Sequence, residues 1–219
     1  MEPDLEQIAQ AFIDGYPEFS ADEQRLVRSV YELLATGRPA SPQAVAEAAG
    51  WAPDEVKRQL DTWGAVFRDR HGDVVGFYGF AIEELTGHRI DLGAIGSGWT
   101  WCAYDTLFIP HLLDVTATVQ SPCPTTGEPV QLQVSRVGVT DLHPAEAVVS
   151  LLTPDGPFDD QVRQTLCHYI HFFSSPAAAD SWIDDHPRTY QISMADAFEN
   201  ARRQNAAVYP ALIGADQTA

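Results

Sequence analysis

Helix and turn signals constrain the first 80 residues more strongly than any other part of the chain. Residues 22–36 carry apolar side chains at helical spacing and are followed by a glycine, which predicts an amphipathic helix. Ser41 is a suitable N-cap for a second helix over residues 42–49, since this segment begins with proline and is followed by glycine. A third helix is predicted over residues 54–63.

Residues 66–80 alternate around a His-Gly-Asp turn, as the two strands of a hairpin do. Three short helices and a two-stranded wing predict a winged-helix-like domain over residues 1–80. This shape is typical of DNA-binding proteins, but residues 54–63 hold more acidic than basic side chains, whereas a helix that reads DNA is basic. We therefore expect the domain to be structural.

The composition excludes several classes of protein. The chain has 31 Asp and Glu against 13 Lys and Arg, a formal net charge of −18, and such a surface repels phosphate backbones. Lys57 is the only lysine, which is compatible with adaptation to concentrated salt and equally with a coding bias towards arginine. No apolar run is long enough to span a membrane, and the acidic start does not resemble a secretory signal. We expect no nucleic-acid or membrane partner.

The second half of the chain predicts a mixed α+β domain over residues 81–219, with short, mostly antiparallel strands. The predicted strands are residues 88–92, 115–121, 130–135, 147–152 and 166–173. Helices are predicted over residues 176–185 and 193–208, the second with Ser193 as its N-cap. The fold class expected for the whole chain is α+β.

The three cysteines lie in this second domain at wide spacing, which indicates reduced thiols in a cytoplasm and not a secreted disulfide framework. Cys123 is expected to be a buried structural residue. Asp105 follows Cys102 by three positions, so a helical turn would bring the carboxyl group and the thiol to one face. A carboxylate raises the pKa of a neighbouring thiol. The pair is therefore better suited to moving a proton from thiol to carboxyl group than to ordinary nucleophilic catalysis.

Cys167 lies in the segment RQTLCHYIHFF, which is predicted to be a strand with Cys167 and His171 on the same face. A thiol at Cys167 that converged on Cys102 would form a dithiolate site for a soft metal.

Three segments, WCAYDTL, SPCPTTGEPV and RQTLCHYIHFF, resemble the signature segments of organomercurial lyases (alkylmercury lyases) in order and spacing. The resemblance implies protonolytic cleavage of a carbon–mercury bond, giving a hydrocarbon and Hg(II). It implies that Cys102, Asp105 and Cys167 are the catalytic and mercury-binding residues. At His168 some members have a second, adjacent cysteine, which is not one of this essential trio.

The resemblance also implies the cofactors and partners of the chain. The sequence contains no phosphate-binding loop or nucleotide motif, so we expect no cofactor. Hg(II) is the expected product, and external thiols are needed for its release. Cellular thiols and a mercuric reductase are the expected recipients of Hg(II). Aromatic residues near the site are candidates for an apolar pocket, although core packing is the commoner role for any single one of them: Trp99, Trp101, Tyr104, Phe108 and Phe172.

Two other interpretations remain open at this stage. A cysteine-based soft-metal-binding or metal-sensing protein could combine the winged-helix domain with a zinc or copper(I) site. Its ligands would be Cys167, His171 and either Cys102 or Cys123. In a straight strand, however, Cys167 and His171 lie some 13 Å apart, at about 3.3 Å per residue, so we expect His171 to have a packing or hydrogen-bonding role. A noncatalytic scaffold would keep Cys102 and Cys167 apart in the core.

Overall fold

The computed structural model describes residues 4–214. Its α-helices are α1 (Leu5–Asp14), α2 (Ala21–Ala35), α3 (Pro42–Ala49), α4 (Pro53–Thr62), α5 (Asp105–Leu113), α6 (Val162–Thr165), α7 (Pro176–Ile183), α8 (Met194–Val208) and α9 (Pro210–Ile213). Its strands are β1 (Val66–Arg68), β2 (Val74–Phe77), β3 (Phe80–Ala81), β4 (Arg89–Asp91), β5 (Ser97–Thr100), β6 (Ala117–Pro122), β7 (Pro129–Ser135), β8 (Gly138–His143), β9 (Val148–Leu151), β10 (Phe172–Phe173) and β11 (Tyr190–Ser193). Short 3-10 helices span Gly93–Ile95 and Cys167–Tyr169.

The N-terminal elements confirm the predicted helices and hairpin. Ser20 and Glu23 form a capping box at the start of α2. Ser41 accepts a hydrogen bond from the backbone of Ala44 at the start of α3, and Gly50 ends that helix in the left-handed conformation. Strands β1 and β2 pair antiparallel, as predicted for residues 66–80. Helix α1 was not predicted.

The strands of the described range form two antiparallel sheets. The larger has the order β1-β2-β3-β5-β4-β6-β7-β8, and the smaller has the order β10-β9-β11. Because β3 pairs with β5, the hairpin sheet continues into the second half of the chain without a break. The division at residue 80 therefore stays a prediction, and the ends of the two predicted domains, residues 1–3 and 215–219, lie outside the described residues.

Helix α5 occupies the centre of the molecule, and all of its residues are buried. It packs against α2, α8 and β7. Polar side chains of α8 hold its position: Asn200 donates to the Tyr104 hydroxyl at 2.9 Å, and Asn205 donates to the Phe108 carbonyl at 2.8 Å. A buried polar group that lacks a partner is costly, so these bonds fix the depth and rotation of α5. The first turn of α5 is thereby held inside the core.

The second half confirms the α+β class, with one correction. Strands β4, β6, β7 and β9 and helices α7 and α8 lie where they were predicted, whereas β5, β8 and β11 were not predicted. The prediction of a strand over residues 166–173 is wrong, since the 3-10 helix Cys167–Tyr169 occupies its first half. Only Phe172 and Phe173 pair with β9. A short apolar segment fits a buried helical turn as well as a strand, and here the turn lies in the core.

Among residues 4–214, no helix combines the length and the hydropathy that crossing a membrane requires.

Candidate active site

Cys102 lies in the short turn that joins β5 to α5. The backbone of Trp101 donates to the Gly79 carbonyl at 2.8 Å, and the Thr100 hydroxyl donates to the Cys102 carbonyl at 2.9 Å. Asp105 is the first residue of α5, and its carboxylate accepts a hydrogen bond from the Cys102 backbone N–H at 2.8 Å. The predicted proximity of Cys102 and Asp105 is therefore observed, although Cys102 precedes the helix and does not lie on its face.

Cys167 reaches the same place from the segment after α6. The Ala103 backbone donates to the Ile170 carbonyl at 3.1 Å, which joins the Cys102 turn directly to the Cys167 segment. Ser150 of β9 fixes the segment from its other side. Its hydroxyl donates to the Tyr169 carbonyl at 2.9 Å and accepts from the His171 N–H at 3.0 Å.

These contacts bring two thiols and one carboxyl group together. The sulfur atoms of Cys102 and Cys167 and a carboxylate oxygen of Asp105 all lie within 4.8 Å of one another. Their residues are 2%, 5% and 7% exposed, respectively. In the part of the chain that the structure describes, this is the one cluster of three or more His, Cys, Asp or Glu residues arranged to hold a metal ion. Cys123 is buried in a separate cluster with Phe173, as expected of a structural cysteine.

Burial changes the acidity of all three groups. Desolvation raises the pKa of Asp105 to about 7, although hydrogen bonds from the Cys102 thiol and from the backbone oppose the change. Desolvation, the Cys167 thiol and the Asp105 carboxylate raise the pKa of Cys102 far above its ordinary value. For Cys167, a hydrogen bond from Cys102 acts to lower the pKa, but desolvation and Asp105 outweigh it and the net direction is upward. The resting site therefore favours neutral thiols and a carboxyl group that holds or releases a proton near neutral pH.

The backbone of Gly79 lies directly against the Asp105 carboxyl group. A Cβ atom at this position would lie 2.5 Å from the carboxyl carbon and one of its oxygens, and the backbone φ of +95° also favours glycine. Its carbonyl accepts the hydrogen bond from Trp101, so the same residue supports both sides of the turn. This glycine fixes how closely the β2–β3 connection can approach the site.

A small cavity of about 20 Å³ adjoins the two thiols and Asp105. Of the five aromatic residues expected around it, Trp101 and Tyr104 line the cavity. The other three candidates do not line the cavity. Phe108 is fully buried behind Tyr16 and Tyr104, Phe172 is fully buried in the core, and Trp99 lies beside Arg89. Four aromatic residues far away in sequence complete the wall: Phe12, Tyr16, Tyr78 and Phe158. No local signal in the sequence links them to the cysteines.

His171 does not join the thiols. Its Nε2 is paired with the His168 carbonyl at 2.8 Å, and its ring packs against His88 and Trp182 at centroid distances of 5.8 and 5.4 Å. The expected packing and hydrogen-bonding role is confirmed. The 13 Å separation of Cys167 and His171 assumed an extended strand, which the 3-10 helix replaces. Because the thiol pair meets Asp105 and not an imidazole, neither the Cys167–His171 metal site nor the scaffold with separated cysteines is favoured.

Comparison with known proteins identifies the family of the chain. Residues 5–78 match the family model of the helix-turn-helix domain of alkylmercury lyase, and residues 83–204 match that of alkylmercury lyase. An alkylmercury lyase of Streptomyces lividans is 34% identical over 204 residues, covering 92% of this chain and 93% of its own. One from Staphylococcus epidermidis is 37% identical over 200 residues, covering 91% and 89%.

A solved structure shows the same fold. The crystal structure of the mercury-bound form of MerB2 superposes with a TM-score of 0.71 at 21% sequence identity, covering 93% of this chain and 98% of that one. The identity and coverage of the relatives, together with the two family models, lead to one conclusion: the chain belongs to the alkylmercury lyase family, whose enzymes cleave carbon–mercury bonds.

Proposed function

We propose that Cys102, Cys167 and Asp105 carry out the reaction of this alkylmercury lyase, the protonolysis of an organomercurial to a hydrocarbon and Hg(II). Two thiols and one carboxyl group converge within 4.8 Å in a buried site with aromatic walls, and this convergence is the main support for the proposal. Mercury is a soft metal that prefers thiolates, and the aromatic wall suits an apolar organic group.

The two thiols bind the metal in succession. The first thiol loses its proton and its sulfur displaces the halide or thiolate that accompanies the organomercurial, with the proton leaving on the displaced group. The second thiol passes its proton to the Asp105 carboxylate and adds its sulfur to mercury. The additional thiolate pushes electron density onto the carbon that is bound to mercury. That carbon becomes basic enough to accept a proton.

Asp105 completes the reaction by delivering its proton to this carbon. The carbon–mercury bond breaks, its electron pair forms the new carbon–hydrogen bond, and Hg(II) stays on the two thiolates. A carboxyl group with a pKa of about 7 suits both halves of this task, because it accepts a thiol proton and gives it up near neutral pH. Burial supplies this pKa, and the adjoining position of Asp105 supplies proximity.

Release of Hg(II) requires an exchange of thiols. Two small thiols transfer their protons to Cys102 and Cys167 and take the metal as a dithiolate. We assign this role to cellular thiols or a mercuric reductase, and we assign no resident cofactor, since the reaction needs only two thiols and one proton donor. Three free cysteines suit the reducing conditions of a cytoplasm, where such thiols are abundant.

Hydrocarbon release from phenylmercuric or methylmercuric salts with excess thiol tests the proposed residues. Benzene or methane, measured by gas chromatography, should form in proportion to enzyme and fall to background in Cys102→Ser and Cys167→Ser. Cys123→Ser is the matched control, because this cysteine is buried outside the cluster and its loss should leave turnover in place. Turnover that survives in folded Cys102→Ser or Cys167→Ser would contradict the assignment.

A further inference from the structure

The cavity beside the thiols is too small for the organic groups that the reaction must accommodate. Its volume of about 20 Å³ is enough for about one water molecule, whereas a cavity of roughly 150 Å³ is known to hold benzene. An arylmercurial therefore cannot occupy the site unless part of the wall moves. The need for this movement rests on the proposed function, in which the cavity is the place of the reaction.

One part of the wall is held less firmly than the others. Phe158 belongs to residues 153–161, which have no regular secondary structure, and its side chain is half-buried. The ring packs edge-on against Tyr16 at a centroid distance of 4.9 Å and lies 6.4 Å from Phe12. In contrast, Trp101, Tyr104 and Tyr78 are at most 2% exposed.

Few polar contacts attach this segment to the rest of the molecule. Phe158 donates its backbone N–H to the Gly15 carbonyl at 2.7 Å. Thr153 pairs with the Tyr190 hydroxyl at 2.9 Å, and Asp155 forms an ion pair with Arg188 at 3.2 Å. Both side chains of the ion pair are largely exposed, so it adds little stability. Moving the Phe158 backbone outward breaks one hydrogen bond, from its N–H to the Gly15 carbonyl, and the ring itself is held by packing alone.

Two glycines, Gly15 and Gly64, allow Phe158 to approach closely in the position that the structure shows. A Cβ atom on Gly15 would lie 2.5 Å from the Phe158 ring, and a Cβ atom on Gly64 would lie 2.5 Å from the Phe158 carbonyl oxygen. Gly15 has an ordinary helical backbone conformation, and Gly64 has no positive φ, so neither is required by its own backbone. Close approach of Phe158 is the constraint that both share.

We propose that Phe158 is a specificity-determining residue, whose ring closes the cavity over the organic group and must swing outward to admit it. The larger the organic group, the further the ring has to move. The closed position thus favours small alkyl groups over aryl groups, and it keeps water from the thiols and Asp105.

Substrate preference is the first test. Phe158→Ala should raise kcat/KM for phenylmercury relative to methylmercury by roughly tenfold, a typical effect of pocket size on discrimination. Gly15→Ala should shift the preference in the same direction by displacing the ring, and should add no further shift in the Phe158→Ala background. Trp99→Ala is the matched control, a half-buried aromatic residue outside the cavity, and should leave the ratio unchanged.

Thiol labelling gives a second test that needs no turnover. In a Cys123→Ser background, Cys102 and Cys167 are the remaining cysteines, and a coloured disulfide reagent should label them roughly tenfold faster when Phe158 is alanine. An unchanged preference ratio or an unchanged labelling rate would each overturn the proposal. Because labelling does not depend on catalysis, its result is separable from the fate of the proposed catalytic residues.

Discussion

Asp105 shows how strongly one buried residue depends on its surroundings. The residue is 7% exposed, and its carboxyl group accepts a hydrogen bond from the Cys102 backbone N–H and lies against Gly79. The sequence shows the three-residue spacing from Cys102, and this spacing together with thiol and carboxyl chemistry predicts the proton-transfer role, which the family resemblance also implies. It does not reveal the contact with Gly79, because the two residues come from different elements and no local pattern connects them.

The raised pKa of Asp105 predicts a pH-dependent cost in stability. An unfolded aspartate titrates near 3.9, and the folded one titrates at about 7, so between these values the folded state binds more protons. Stability contributed by the protonated form is complete below about pH 4 and is lost as the pH rises to about 7. Asp105→Asn does not lose this stability. Its free energy of unfolding relative to the wild type should therefore increase across this pH window by on the order of 4 kcal/mol. Urea unfolding at pH 4.5 and pH 8 measures the difference; a difference that does not grow with pH contradicts the assigned pKa.

Gly79→Ala should damage the site more than the fold. The added methyl group displaces the Asp105 carboxyl group, and a misplacement of about 1 Å commonly costs about 100-fold in rate. Gly72→Ala is the matched control, because Gly72 also has a positive φ, +87°, but has no atom within 4 Å of its added Cβ. Both variants should lose about 1–2 kcal/mol of stability from backbone strain. Equal turnover in the two variants would show that Gly79 does not position Asp105.

The elements of this fold differ in whether local sequence signals or tertiary contacts determine their conformation. Helices α2 to α4 and the β1–β2 hairpin follow from local caps, glycines and alternation, which are properties of neighbouring residues. The segment around Cys167 does not, since its 3-10 helix is stabilised by Ser150 of β9 and by the bond from Ala103 to Ile170. Tertiary contacts of this kind override an apolar pattern that fits either a strand or a helical turn.

Ser150→Ala tests the support of the Cys167 segment. Removal of the hydroxyl leaves the Tyr169 carbonyl and the His171 N–H without this partner, which should cost about 1–3 kcal/mol of stability. Turnover should also fall, because Cys167 loses its fixed position. Ser29→Ala provides the comparison, since its hydroxyl bonds to the Arg25 carbonyl within α2. Chemical unfolding and hydrocarbon release measure the two effects, and full turnover in Ser150→Ala would be incompatible with this role.

The site lies where segments from the N-terminal helices, the large sheet and the second half of the chain pack together. The cavity wall includes residues of α1, the β2–β3 connection, the start of α5 and the segment before Cys167. The family resemblance implies the roles of Cys102, Cys167 and Asp105 from sequence, but it gives no indication of Phe12, Tyr16 or Phe158. Those contacts depend on how the N-terminal helices pack on the sheet, and nothing in the spacing of aromatic residues encodes that packing.

A single-turnover experiment on Asp105→Asn separates mercury binding from proton delivery. Enzyme in excess over phenylmercuric salt is quenched at intervals, and protein-bound mercury and released benzene are measured in the same samples. We expect the variant to bind mercury stoichiometrically through Cys102 and Cys167 while benzene release slows by at least about 100-fold, within the range attributed to general acid catalysis. Benzene released at the wild-type rate from a folded, mercury-loaded Asp105→Asn variant would show that Asp105 is not the proton donor.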